Sequence, residues 1–179
     1  IKEIRIYRGY LGKTLRLGVP SGIQNSVTSF ANVIVQSSIN LFGPAAMAAH
    51  GSYNRIQGFA FIPITAFALA LTTFTGQNLG AGKQDRVRKA ARFGIFFAMA
   101  LAQLVGFALM IIGGQVMTIF TRDSEIIRLG VQKGLIAGWF FWALALSHTM
   151  TGLFRGAGKS IVPMTVMLSI WCVLRIMFI

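Results

Sequence analysis

The chain has 179 residues, 55% hydrophobic and only 12% charged, with 17 Lys and Arg against 4 Asp and Glu and a formal net charge of +13. A soluble domain is roughly 25% charged, so this composition, with a mean hydropathy of +0.68, excludes an ordinary water-soluble globule and points to a membrane protein. The positive balance does not point to nucleic acid, because the basic residues gather between long apolar runs rather than along one wettable face.

Residues 1–16 hold Lys2, Arg5, Arg8, Lys13 and Arg16, with Ile4, Tyr7, Leu11 and Leu15 at helical spacing among them. The pattern fits a basic amphipathic linker helix lying on a membrane surface, and equally a solvated linker. The chain begins at Ile1 and stops at Ile179 within an apolar run, so it is expected to be a piece of a longer protein.

Between Arg16 and Arg55 there is no Lys, Arg, Asp or Glu, a run too long for one crossing of roughly 20 residues. Gly43-Pro44 divides it, since Gly turns easily and Pro cannot continue a hydrogen-bonded helix. Spans are expected over residues 17–42, 48–79, 93–119, 134–154 and 161–179. Small residues are frequent throughout, as close helix packing in lipid requires, and the strict alternation of β-barrel strands is missing. The expected fold class is therefore all-α, a polytopic membrane protein with five transmembrane helices. The basic patches at 1–16, 83–92 and 155–159 alternate with the turn at Gly43 and a loop from Arg122 to Lys133 that also holds Asp123 and Glu125. The positive-inside rule places the three patches on the cytoplasmic face of an inner (plasma) membrane.

The span at 17–42 carries Ser21, Asn25, Ser29, Asn32, Gln36 and Asn40 on one helical stripe. Such side chains are costly against lipid. They can serve as interhelical hydrogen bonds, but six on one stripe favours the wall of a polar cavity, with Asn25, Asn32, Gln36 and Asn40 as its lining. Pro20 and Pro63 would shape their helices; Pro63 removes a backbone bond to Phe59, giving either a bending point or a static kink. Asn54 and Gln57 follow the outer turn near His50. The run Trp139, Phe140, Phe141, Trp142 suits a substrate-facing ring or plain packing, and His148 suits a hydrogen-bonded neighbour better than a proton carrier. No Asp or Glu falls inside a span, which argues against a principal ion-coupling site in this piece. No catalytic dyad or metal cluster is visible, so neither an enzyme nor a cofactor is expected. Arg175, the only charge inside the expected spans apart from Arg55, would snorkel outward or pair with a residue elsewhere.

Twice an apolar run stops at Gly-Ala-Gly-Lys, at Gly80–Lys83 and at Gly156–Lys159. A phosphate loop needs G-x-x-x-x-G-K-[ST] after a strand. Gln77 and Leu153 stand where the first Gly is required, and neither copy follows a strand. Glycines that end a helix, with a Lys over the exposed carbonyls and lipid headgroups, fit both copies.

Leu17-Gly18-Val19-Pro20, Phe42-Gly43 with Ala48-Ala49-His50, Gly76-Gln77-Asn78-Leu79-Gly80-Ala81-Gly82-Lys83 with Asp85-Arg86, and Phe154-Arg155-Gly156-Ala157-Gly158-Lys159 with Arg175-Ile176 occur in this order. Together they resemble the multidrug and toxic compound extrusion (MATE) transporters over nearly the whole chain. The resemblance implies twelve helices in two six-helix halves, this chain supplying five of the second half. It implies secondary active efflux of small organic, often cationic, compounds by Na⁺ or H⁺ antiport through alternating access. Its partners would be the bilayer, its substrates and the other half of the same chain. Gly76, Gln77, Gly80, Gly82 and Arg86, and then Arg155 and Gly156, would be the cytoplasmic-loop motif. Two positions that carry a Glu and an Asp in some members are here Thr28 and Leu144, so the coupling-cation site is expected in the missing N-terminal half. The rival is a lipid-linked oligosaccharide flippase of related fold, which would need more cations in its cavity than Arg175.

Overall fold

The computed structural model describes residues 8–169. The first seven residues of the basic segment, and residues 170–179 with Arg175, lie outside the described residues. Among the described residues all regular structure is helical: α1 (Arg8–Asn40), α2 (Pro44–Gly80), α3 (Gln84–Met117), α4 (Ser124–Gly138), α5 (Phe141–Gly156) and α6 (Ile161–Met167).

Residues 8–16 form the first turns of the same helix that continues past Pro20 to Asn40. Between α1 and α2 the chain turns at Gly43, whose φ of +92° suits glycine, and Pro44 opens α2, where its missing N–H costs nothing. By length and composition α2 and α3 can cross a membrane, and a third crossing arises if the bent pair α4–α5 counts as one. α1 has 33 residues, enough to cross; its polar stripe keeps it below the same apolar standard.

The expected loop at 122–133 is a correction: most of it is helix. Asp123 caps α4, its carboxylate accepting from the backbone N–H of Glu125 at 2.8 Å and of Ile126 at 3.4 Å. α4 then presents Gly130, Gly134 and Gly138 to its neighbours, all buried. The helix breaks at Trp139–Phe140 and α5 leaves at 60°. Gln103 on α3 spans the break, donating to the Gly138 carbonyl at 3.1 Å and accepting from the Trp142 N–H at 3.4 Å.

α2, α3 and α5 surround the core of Phe61, Ile64, Ala98, Ala102, Phe141 and Ala145, with the Phe61 and Phe141 rings 5.3 Å apart. Small residues bring these helices close. Gly152 lies against Ala68 and Thr72, and Gly156 against Thr72 and Thr75, so α5 runs parallel to α2. α3 runs antiparallel to both, Gly94 meeting Leu71 and Gly106 meeting Gly138. Large apolar side chains point outward from α3, with Phe96 73% and Ile111 83% exposed. In water this would be a liability; in a bilayer it is the lipid face.

Both Gly-Ala-Gly-Lys stops adopt one geometry. The N–H of Lys83 bonds the Asn78 carbonyl at 2.8 Å and that of Gly82 the Leu79 carbonyl at 3.0 Å; Lys159 bonds Phe154 at 2.9 Å and Gly158 bonds Arg155 at 3.0 Å. Gly82 and Gly158 take φ of +72° and +76°. This is the Schellman arrangement, which favours glycine at the left-handed position. Gly76 sits beside the Gly156 carbonyl, so the two stops share one end of the bundle.

Candidate functional site

α1 leans on α2 and α6 rather than joining the core. Its bundle-facing side carries Gln24 and Ala31, 3% and 2% exposed. Gln24 accepts a hydrogen bond from Arg155 Nη2 at 3.0 Å, which ties α1 to the end of α5. Each helical step turns about 100°, so the polar stripe flanks this packed side instead of entering it.

Beside that flank opens a cleft of about 700 Å³. α1 contributes Asn32, Val35 and Gln36, and α5 contributes Leu144 and His148. α2 supplies His50, Asn54, Gln57, Phe61 and Thr65, a second stripe spaced at helical intervals, with Gly58 between them. α4 supplies Lys133.

Of the four expected lining residues, the structure brings Asn32 and Gln36 to the cleft. Asn40 is exposed at the end of α1 and accepts from Gln36 Nε2 at 3.1 Å; Asn25 is exposed and outside it. Pro20 and Pro63 both lie inside unbroken helices, Pro63 between core residues Phe61 and Ile64. Gly76, Gln77, Gly80 and Gly82 form the last turn and stop of α2, with Arg86 exposed in the first turn of α3. Arg155 and Gly156 end α5, Arg155 reaching Gln24 rather than its own loop. Among the aromatics expected to ring a substrate or pack, Phe141 is fully buried in the core, whereas Trp139 and Phe140 are 59% and 60% exposed.

Charge counting places Lys133 in an outer loop; the structure places it, half-buried, in the cleft. Its Nζ lies 2.8 Å from His50 Nδ1, donates to Asn54 Oδ1 at 2.7 Å, and stands 5.0 Å from the centre of the Tyr53 ring. A lysine ammonium carries donors and no acceptor, which suits the Asn54 amide oxygen it meets. The periodic glycines of α4 are the signal that would have found Lys133. They mark a close-packed helix, and Lys133 is the neighbour of Gly134, which packs on Tyr53.

The MatE family pattern matches residues 20–179. The chain belongs to the MatE family. Among its relatives are a "Probable multidrug resistance protein NorM" of Thermotoga maritima, 30% identical over 88% of this chain and 34% of that protein. Another is a "Probable multidrug resistance protein YoeA" of Bacillus subtilis, 24% identical over 88% and 34%. A "FAD transporter" of Shewanella oneidensis is 23% identical over 70% of this chain and 28% of that protein. The chain thus spans about a third of the length of the MatE relatives it matches. Thr28 donates its hydroxyl to the Gln24 carbonyl at 2.8 Å, and Leu144 lines the cleft as an apolar side chain.

Proposed function

We propose that this chain is one half of a secondary active exporter, its cleft one wall of the substrate chamber, working by alternating access against a second half of the same protein. One observation carries the reading: an otherwise lipid-facing bundle opens a polar cleft on one flank, with amides of α1 beside it. Exposed amides and an ammonium against hydrocarbon are costly, so this flank is covered by protein or water. A chamber between two halves supplies both.

The names of the MatE relatives support transport of small solutes, not enzymatic chemistry. The exchange ion is Na⁺ or H⁺; Asp85, Asp123 and Glu125 all stand at helix ends, which leaves the coupling carboxylate to the other half. The end shared by both glycine stops carries Lys83, Arg86, Arg88, Lys89, Arg92, Arg155 and Lys159, and the positive-inside rule sets it in the cytoplasm of an inner membrane. Lys133 also strengthens the flippase reading, since a cation now stands in the cleft.

The test is efflux of a dye from vesicles holding the full-length protein under imposed Na⁺ or H⁺ gradients. Gradient-driven efflux is expected; no efflux of any dye or drug under either gradient refutes the exporter.

A further inference from the structure

The geometry points to a site for one anionic phospholipid at the basic end of the bundle, its acyl chain in an apolar groove between α3 and α5 and its phosphate on Lys83 and Arg88. The inference goes beyond the exporter reading and takes from it only that the basic end lies at the level of the headgroups.

The groove opens where α2, α3 and α5 meet, at the end that carries both glycine stops, and has a volume of about 330 Å³. Leu79 of α2, Val87, Ala91 and Ile95 of α3, and Met150 and Phe154 of α5 line it. The three α3 residues are spaced four apart and share one helical face, so from Val87 to Ile95 the groove runs about 12 Å along the axis. One leaflet of hydrocarbon is about 15 Å deep, and the groove spans most of it. Over that length the volume leaves a cross-section of roughly 28 Å². A hydrocarbon chain enters such a slot; a helix, about 10–12 Å across with its side chains, rides over it.

The first turn of α3 joins the groove to a polar hollow. Val87 lines the groove, and its neighbour Arg88 lines a hollow of about 480 Å³ together with Lys83, Asp85 and Arg86. All four charged side chains are exposed, and three cations against one acid leave the hollow positive. Arg92 follows Ala91, and Lys159 stands two positions after Ala157, which also lines the groove, so the rim is basic on α3 and after α5 alike. Among the described residues Asp85 is the only acid at this end; Asp123 and Glu125 stand at the opposite end, where α4 begins. An apolar slot that leads into a positive hollow at the membrane surface matches an acyl tail continuous with an anionic head, as in other basic pockets between membrane helices. A zwitterionic lipid brings its own ammonium, which the same cations repel.

The experiment titrates the purified full-length protein, in detergent micelles at fixed ionic strength, with dioleoyl phosphatidylglycerol and with dioleoyl phosphatidylcholine. Native mass spectrometry follows the first lipid bound, and the readout is the ratio of the two affinities. Each Lys or Arg near a membrane surface favours an anionic lipid roughly fivefold, so the native protein is expected to prefer phosphatidylglycerol at least about tenfold. The double variant Lys83→Gln, Arg88→Gln is expected to bring the ratio below about threefold while phosphatidylcholine affinity stays within about twofold. Asp85→Asn is expected to raise the ratio, a gain that a misfolded protein does not produce. Ala91→Trp, which fills the groove, is expected to weaken phosphatidylglycerol at least about tenfold, because the acyl chain loses its seat. A native ratio near one, as when another segment of the protein fills the groove, overturns the proposal. So does a ratio unmoved by the double substitution, or unaltered lipid binding in Ala91→Trp. Glycerol 3-phosphate in large excess is expected to leave the bound phosphatidylglycerol in place; displacement by it shows a headgroup site without a tail and also overturns the proposal. Efflux is no part of this readout, so the lipid site and the exporter reading stand or fall separately.

Discussion

A single methyl group at Gly152 tests the packing that holds the core together. In Gly152→Ala the new carbon would stand 2.6 Å from the Ala68 carbonyl oxygen and 3.0 Å from the Thr72 hydroxyl, where ordinary contact begins at 3.4 Å. The Thr72 side chain could rotate, but the carbonyl cannot withdraw: it belongs to the α2 backbone and accepts from the Thr72 hydroxyl at 3.0 Å. α5 must therefore lift from α2 by the better part of an ångström, loosening Phe61 against Phe141 below it. Overpacking of this kind costs about 1–3 kcal/mol, and a middle value of about 2 kcal/mol is roughly thirtyfold in the folding equilibrium. Gly51→Ala, in α2 with nothing within 4 Å of the new carbon, is the control, expected to be neutral or to stabilise by up to about 1 kcal/mol through helix propensity. The assay is unfolding of the purified full-length protein in mixed micelles with rising SDS, followed by circular dichroism. Equal midpoints for the two variants would refute the claim that backbone contact at Gly152 sets the distance between α2 and α5.

Gln103→Leu strips partners from the Gly138 carbonyl and the Trp142 N–H; the expected cost is about 1–3 kcal/mol, read in the same titration. Arg155→Ala and Gln24→Ala should each destabilise, and the double variant should cost less than the two together by about 0.5–3 kcal/mol; strict additivity would show that the bond does not tie α1 to α5. Gly82→Ala and Gly158→Ala should each lose about 1–2 kcal/mol, because both positions hold a left-handed backbone, and the two losses should agree closely. A large inequality between them, in the same unfolding assay, would contradict the shared cap.

The helix stops were legible because they are local: a glycine at a left-handed position and a basic run behind it need no knowledge of the rest of the chain. The family was legible for the same reason, since its markers lie around those stops. The stripe on α1 was legible as a stripe, but which part reaches the cleft depends on neighbouring helices. Gln24, one position before Asn25, is drawn in by Arg155, and that turns Asn25 outward. The break between α4 and α5 is tertiary: neither Trp139 nor Phe140 is a helix breaker, and the side chain that holds the break lies 35 residues from Gly138. Lys133 escaped because counting charges assigns every lysine to water, whereas His50 and Asn54, far away in sequence, give it a place inside.

The break between α4 and α5 also has an electrostatic consequence. A helix carries about half a positive charge at its amino end and half a negative charge at its carboxyl end, and discontinuous transporter helices use such ends to hold ions. Here the carboxyl end of α4 meets the amino end of α5, and the Gln103 amide, donor to one and acceptor from the other, sits across them. The two half-charges are discharged against each other and against one neutral side chain. The elbow bends the helix pair but offers no electrical foothold to a cation, unlike a bare helix end.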